Sequence, residues 1–442
     1  MQTAIHKIIF FISLAKSLPG ARERRMGVMP VIVLFCLLFC SADANAQFRV
    51  VPDSIFATHH SPEAKTYFAK QTDLSDVFSN IFKKEPQQRI DTLAEQKPFK
   101  LHWSTVPAVG YTLQTGFAAL LSENVAFYTS LASNQKISSI STSITYSQYN
   151  QIILPLQADI WSKKNKYNFI LDWRYMDYPS TTFGLGGKTL ITDGYTIDFN
   201  YAKIHQALLR RVNKNLYAGI GYYLDYFWNV RELDASHQDT VSFVKDKITN
   251  TSVSSGIAFR IIYDSRLNQI NPQQGTYANI VYRPNFTFLG SDLNWQSLLL
   301  EFRKYIKFRP SSKNVLALWS YNWLTVGGAE PPYLMLPSTG WDDFFNTGRG
   351  YIQSRFRGRD MFYLESEYRF QITNNGLLGG VVFANAESFS KSVTSGGQTV
   401  APGYGLGVRI KLNKFSGANL CVDYGFGTEG SRGIAVNLGE VF

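Results

Sequence analysis

GSRGIAVNLGEVF, residues 430–442, alternates in character: Ile434, Val436, Leu438 and the terminal Phe442 would share one face, with Ala435, Asn437 and Gly439 on the other. Successive side chains of a strand point to opposite sides, so one face here can meet lipid and the other a polar interior. The pattern predicts the closing strand, over 432–442, of a transmembrane antiparallel β-barrel.

The same period-two alternation recurs upstream. In FYLESEYRFQI, Phe362, Leu364, Tyr368, Phe370 and Ile372 oppose Tyr363, Glu365, Glu367, Arg369 and Gln371. GLGVRIKL and ANLCVDYGF repeat the division, and YNFILDWRY sets Tyr167, Phe169, Leu171, Trp173 and Tyr175 against Asn168, Asp172 and Arg174. Similar patterns run through 217–227, 256–263 and 277–283. The clearest strands are predicted near 361–372, 378–388, 402–412, 418–427 and 432–442. An antiparallel soluble sheet also alternates, but its apolar face is a core. Here an export-type N-terminus, a final aromatic residue and a mean hydropathy of −0.13 favour an all-β barrel in a membrane. At roughly ten residues per strand plus connections, residues 99–442 accommodate about 16 strands.

Residues 1–46 have the form of a signal peptide: Arg22, Arg24 and Arg25 precede an apolar run from Val28 to Phe39, and Ala44-Asn45-Ala46 supplies a cleavage pattern. The run is shorter than the ~20 residues of a spanning helix. Cys36 and Cys40 would leave with it, so Cys421 could form no intramolecular disulfide. The chain holds 44 Lys and Arg against 33 Asp and Glu; residues 1–46 contain five and two, leaving a net +8. The cations are scattered, which with the export signal argues against nucleic acid and for contact with outer-membrane lipids and lipopolysaccharide. An aromatic content of 15% suits girdles at the two membrane interfaces.

Residues 47–98 form a short periplasmic segment in this reading. DLSDVFSNIFKK spaces Leu74, Val77, Phe78, Ile81 and Phe82 at helical intervals, with Asp73 as a possible cap and Pro86 as a stop, predicting an amphipathic helix over about 73–84. Its stripe would rest on the barrel or dock a partner.

Two further segments carry identity. YDSRLNQINPQQGTY, 263–277, places Asp264 and Arg266 two apart, Pro272 to preset φ in a turn and Gly275 where φ can be positive. FFNTGRGY, 344–351, brings Gly348, Arg349, Gly350 and Tyr351 into a connection of more than thirty residues, and loops of that size usually do work. An arginine inside a barrel should face a carboxylate, where its planar fork can make two parallel hydrogen bonds; Glu365 and Glu367 point into the same lumen.

These segments resemble the "DxR…P…G" turn and "(V/G)RG(F/Y)" loop motif of the BamA/TamA superfamily of outer-membrane assembly proteins, also called bacterial surface antigens. The order strengthens the resemblance: YPSTTFGLGG, the Asp264 turn, the Arg349 loop, LESEYRF, GYGLGVRIKL, NLCVDYGFG and GEVF, over about Tyr111 to Phe442. It implies that the long outer loop folds into the barrel and that its arginine locks against acidic residues on the next two strands. Glu367 matches the first; Asn385 stands where the family usually has Asp, leaving a weaker lock or one shared with Glu365. It implies a role in inserting or translocating proteins or lipids at the outer membrane of a Gram-negative bacterium, through a barrel whose first and last strands pair weakly. Gly433 and Gly439 in the closing strand are compatible with such a seam. The segment before the barrel is too short for one periplasmic POTRA domain, so client capture would need a separate periplasmic or lipoprotein partner. The barrel assembly machinery would insert the chain itself. The competing readings are a passive pore and a structural barrel anchoring surface loops or a lipoprotein.

Catalytic patterns are weak. His59 and His60 have no third ligand at metal spacing. Asp342 and Asp343 sit between Trp341 and Phe344 as a packed loop segment, and no nucleophile elbow, phosphate loop or dinucleotide fingerprint occurs. The sequence points to no enzyme and no cofactor.

Overall fold

A computed structural model describes residues 71–74, 76, 77, 99, 101–130, 135, 136, 138–233, 248–266, 268–308, 312–390, 399–414 and 417–442. The expected signal peptide, both N-terminal cysteines, His59, His60 and residues 78–84 of the expected helix lie outside them. At the start of that helix, Asp73 and Asp76 cap reciprocally: the Asp76 amide donates to Asp73 Oδ1 and the Asp73 amide to Asp76 Oδ2, each at 3.0 Å.

The first strands are β1 (His102–Thr112), β2 (Gly116–Phe127), β3 (Ser138–Ser147), β4 (Ile152–Trp161), β5 (Tyr167–Asp177), the short β6 (Ser180–Thr182), β7 (Tyr195–Asn213) and β8 (Leu216–Glu232). They continue as β9 (Ser252–Asp264), β10 (Gly275–Asn285), β11 (Trp295–Lys307), β12 (Val315–Gly328), β13 (Asp360–Gln371), β14 (Leu378–Ser390), β15 (Val400–Lys411), β16 (Asn419–Phe426) and β17 (Arg432–Leu438). Each long strand pairs antiparallel with the next, and β6 lies on the start of β7, giving one sheet curled into a nearly closed barrel. The end strands β1 and β17 lie side by side with Cα atoms within 8 Å, yet among the described residues no ladder joins them.

The alternation sorts the two faces. On β13, Phe362 and Leu364 are 43% and 61% exposed on the outside, whereas Tyr363 and Glu367 are fully buried inside. On β5, Phe169, Trp173 and Tyr175 face out and Asn168 and Arg174 in. An exposed apolar face of this extent is stable only against lipid. Leu364→Arg, near the middle of β13, is therefore expected to cost ~2–4 kcal/mol, seen as loss of folded protein after refolding into lipid vesicles.

Connections alternate between two ends. One end carries the long loops, including 178–194 and 329–359; the other carries the shorter turns and both chain segments that flank the strands. The predicted 263–277 turn is at this turn end. Arg266 forks onto Asp264 at 2.9 and 3.1 Å, and Gly275 takes φ +115°, where a Cβ would lie 2.9 Å from the Arg266 Cα.

The closing strand is shorter than predicted. It ends at Leu438, because Gly439 adopts φ +89° and turns the chain inward. Phe442 therefore does not continue the lipid-facing side, and Gly439 leaves the strand instead of extending its polar side. Phe442 is buried in the lumen, stacked on Trp319 at 5.1 Å, and its carbonyl oxygen accepts a 3.0 Å hydrogen bond from Arg369. Glu440 stands out in the apolar pattern for the same reason: inside the barrel it meets Arg409 at 3.0 Å.

Candidate functional site in the barrel lumen

The loop between β12 and β13 folds into the lumen. Aspartate chemistry builds its tip: Asp342 accepts hydrogen bonds from the amides of Phe344, Asn346 and Thr347, which tightens the WDDFFNT turn. Gly348 and Gly350 then take φ +76° and +107°, a backbone path that swings the intervening side chain sharply toward the wall.

Arg349 lies at the end of that path, with 4% of its side chain exposed. It pairs with Glu365 and Glu367 of β13 and, at 2.8 Å, with Asp423 of β16. Its guanidinium also sits 3.7 Å from the ring centroid of Phe383 on β14. Arg369 and Arg409 share the same carboxylates, Arg369 binding Glu367 and Arg409 binding Asp423 at 2.5 Å and Glu440 at 3.0 Å. Three guanidiniums thus interleave with four carboxylates, and Tyr363 caps Glu365. Buried charges need this degree of mutual pairing, since each carries a large desolvation cost.

At Asn385 the expected outcome is a weaker lock or one shared with Glu365, and Glu365 does pair with Arg349. Asn385 donates to the Arg349 carbonyl at 3.0 Å, and Asp423 provides a carboxylate in its place. Asp423 was legible only as a lumen-facing residue; its match to Arg349 depends on β16 curling round to face the loop. The other motif residues also touch the wall. Tyr351 donates to the Pro402 carbonyl at 2.6 Å, the Gly350 carbonyl accepts from Ser431 at 2.7 Å, and Gly350 and Gly425 approach closely enough that a Cβ on either would clash.

A second anchorage had no sequence signal. Asp343 reaches the opposite wall, where Lys203 of β7 binds it at 2.9 Å and Arg174 of β5 donates to its carbonyl at 2.6 Å. Lys203 holds the Asp343 carboxyl well below its usual range. Trp341 packs among Tyr178, Phe199 and Tyr201 beside it. At the loop end, Arg355 binds Thr189 and, at 2.7 Å, Glu429, tying three connections into a roof. Because Asp172 keeps both Lys203 and Arg174 satisfied, Asp343→Ala is expected to loosen the loop by only about 1 kcal/mol; a severalfold rise in trypsin cleavage within 329–359 of the folded protein would register it.

The geometry agrees with comparisons to known proteins. No curated protein matches the chain in sequence. Among solved structures, CdiB from Acinetobacter baumannii is similar at 12% identity and a TM-score of 0.50, over 77% of this chain and 59% of that one. BamA from Haemophilus ducreyi lacking POTRA domains 1–3 is 15% identical with a TM-score of 0.48, over 85% and 82%. This chain thus spans less than two thirds of that CdiB, and the likeness is one of fold. The model of the Omp85 superfamily domain matches residues 138–442, more than half of the chain, and takes in the Asp264 turn, the Arg349 loop and β17. The chain belongs to the Omp85 superfamily, the BamA- and TamA-like barrels that its motifs resemble.

Proposed function

We propose that this barrel assists the insertion or translocation of proteins or lipids at the outer membrane of a Gram-negative cell, opening between β1 and β17 while the Arg349 loop keeps the lumen closed. The observation that carries this reading is the junction of the end strands: they lie side by side without a ladder among the described residues, whereas their other neighbours are fully paired. Leu113, in the β1–β2 turn, packs on Gly433 there, so side-chain contact takes the place of backbone pairing. Unpaired strand edges are templates for an incoming strand.

Client capture falls to a separate periplasmic or lipoprotein partner, with residues 71–74, 76 and 77 at the turn end as a place for it to dock. Outer-membrane lipids and lipopolysaccharide surround the apolar face, and insertion of the chain itself depends on the barrel assembly machinery. Depletion followed by outer-membrane proteomics tests the reading: a broad fall in other barrel proteins or in surface lipid supports it, and unchanged neighbours count against it. Cross-linking Leu113→Cys to Gly433→Cys should reproduce the depletion.

A second reading, a closed structural barrel that anchors surface loops, is favoured by the threefold tethering of the loop through Arg349, Asp343 and Arg355. It expects normal neighbours on depletion and no steady current in planar bilayers. A passive pore would give such a current.

A further inference from the structure

The loop and the inturned chain end fill the lumen, but at the turn end a cavity of about 250 Å³ remains. The β9–β10, β11–β12, β13–β14 and β15–β16 connections bound it, together with Gln71. Arg369, Arg409 and Glu440 of the network above also line it, and lysines add to them. There, Arg369 and Arg409 are matched by Glu367, Asp423 and Glu440. In the cavity, Lys307 and Lys313, at the two ends of the β11–β12 connection, and Lys411, at the end of β15, share the lining with Arg369, Arg409 and Glu440, and among the described residues none of these three lysines has a carboxylate within ion-pair distance. Lys313 Nζ reaches the Asn374 carbonyl and Lys411 Nζ the Gln71 amide oxygen, both at a long 3.5 Å. Asn271 and Gln273 add amide groups to the lining.

The rim already holds anions. Lys414 binds Asp76 at 2.7 Å and its amide donates to Asp73 at 3.0 Å, so the chain's own carboxylates settle where this positive field emerges.

We propose that this cavity is a binding site for a phosphate-class anion, either a free phosphate or pyrophosphate or the headgroup of a phosphate-bearing lipid. Ammonium groups at three strand ends, two of them half-buried and none ion-paired among the described residues, leave an excess of positive charge in the lining that an anion between them would neutralise. Each is a compact point charge with freely rotating donors, which suits a tetrahedral group presenting oxygens in several directions better than a planar carboxylate, the natural mate of arginine. The cavity is headgroup-sized and opens at the end where the short turns lie, which is the periplasmic end in barrels of this kind.

The test uses the full protein in a phosphate-free maltoside detergent. Pyrophosphate titrated by calorimetry should bind saturably, more weakly as salt is raised, and at least tenfold more weakly to Lys307→Gln/Lys411→Gln. Lys188→Gln, an exposed lysine of the 183–194 loop, should leave binding unchanged. If the double variant fails to fold, Lys313→Gln alone should weaken binding at least threefold. Native mass spectrometry after exposure to phosphatidylglycerol vesicles separates the sources. Lipid retained by the wild type and lost in the variants assigns the site to a headgroup; pyrophosphate binding without retained lipid assigns it to a free anion. Absence of saturable binding by either probe, or equal binding by the lysine variants, overturns the proposal.

Discussion

Arg349→Ala is expected to free the 329–359 loop from the β13–β16 wall and abolish the heat-resistant gel migration of the folded barrel. The substitution removes one of three guanidiniums from a set of four buried carboxylates, leaving Glu365 with no cation partner among the described residues and Glu367 and Asp423 with fewer. Breaking a buried pair from one side costs about 3–5 kcal/mol, because the remaining charge stays desolvated. That corresponds to on the order of a hundredfold or greater rise in loop opening. Arg349→Lys should restore little, since an ammonium cannot serve β13 and β16 at once while stacking on Phe383. Glu367→Gln should give a smaller loss of the same kind, as Glu367 also holds Arg369. If Arg349→Ala and Glu367→Gln both migrate like the wild type and resist trypsin equally, the loop does not depend on this network.

Gly350→Ala should be nearly as damaging, although it changes no charge. Gly350 sits at φ +107°, a conformation that costs an L-residue about 1–3 kcal/mol. A methyl group there would lie 2.7 Å from the Phe426 carbonyl oxygen and 2.8 Å from its carbon, inside the β16 backbone. The loop must then move off the wall, taking Arg349 with it. Cleavage within 329–359 should rise by more than tenfold in Gly350→Ala and by far less in Gly376→Ala, whose Cβ would meet only the far ends of Lys411 and Gln371. Equal protection of both variants would mean that the loop tolerates displacement from β16.

Much of the barrel was legible in single strands. β13, β14, β15 and β16 begin and end within two residues of the predicted spans, since each wall residue faces either lipid or lumen and the pattern records which. The inward set on β13 was equally plain, as was the positive φ at Gly275. Arg349 stood out through its flanking glycines and the length of its loop. Its partners were only half legible: Glu365 and Glu367 follow from parity on the next strand, while Asp423 lies 74 residues away in the chain and meets Arg349 only through the curl of the sheet. Asp343, Lys203 and Arg174 were invisible as a group, since nothing in spacing relates a loop tip to β5 and β7 on the opposite wall.

The final strand shows the division most sharply. By itself, the sequence determined that a two-faced strand begins at 432, though it ran that strand on to 442, and that the chain is an all-β barrel with a polar interior, because side-chain alternation is a local property of extended backbone. Where Phe442 goes was decided by the tertiary structure. A terminal aromatic residue can lie in lipid or in a lumen pocket at comparable hydrophobic gain, and the choice falls inward because Trp319, Arg369 and Arg409 come from distant strands to receive Phe442 and Glu440. Burial and ion pairing are properties of the closed barrel, and they turned the apparent end of the closing strand into part of the plug.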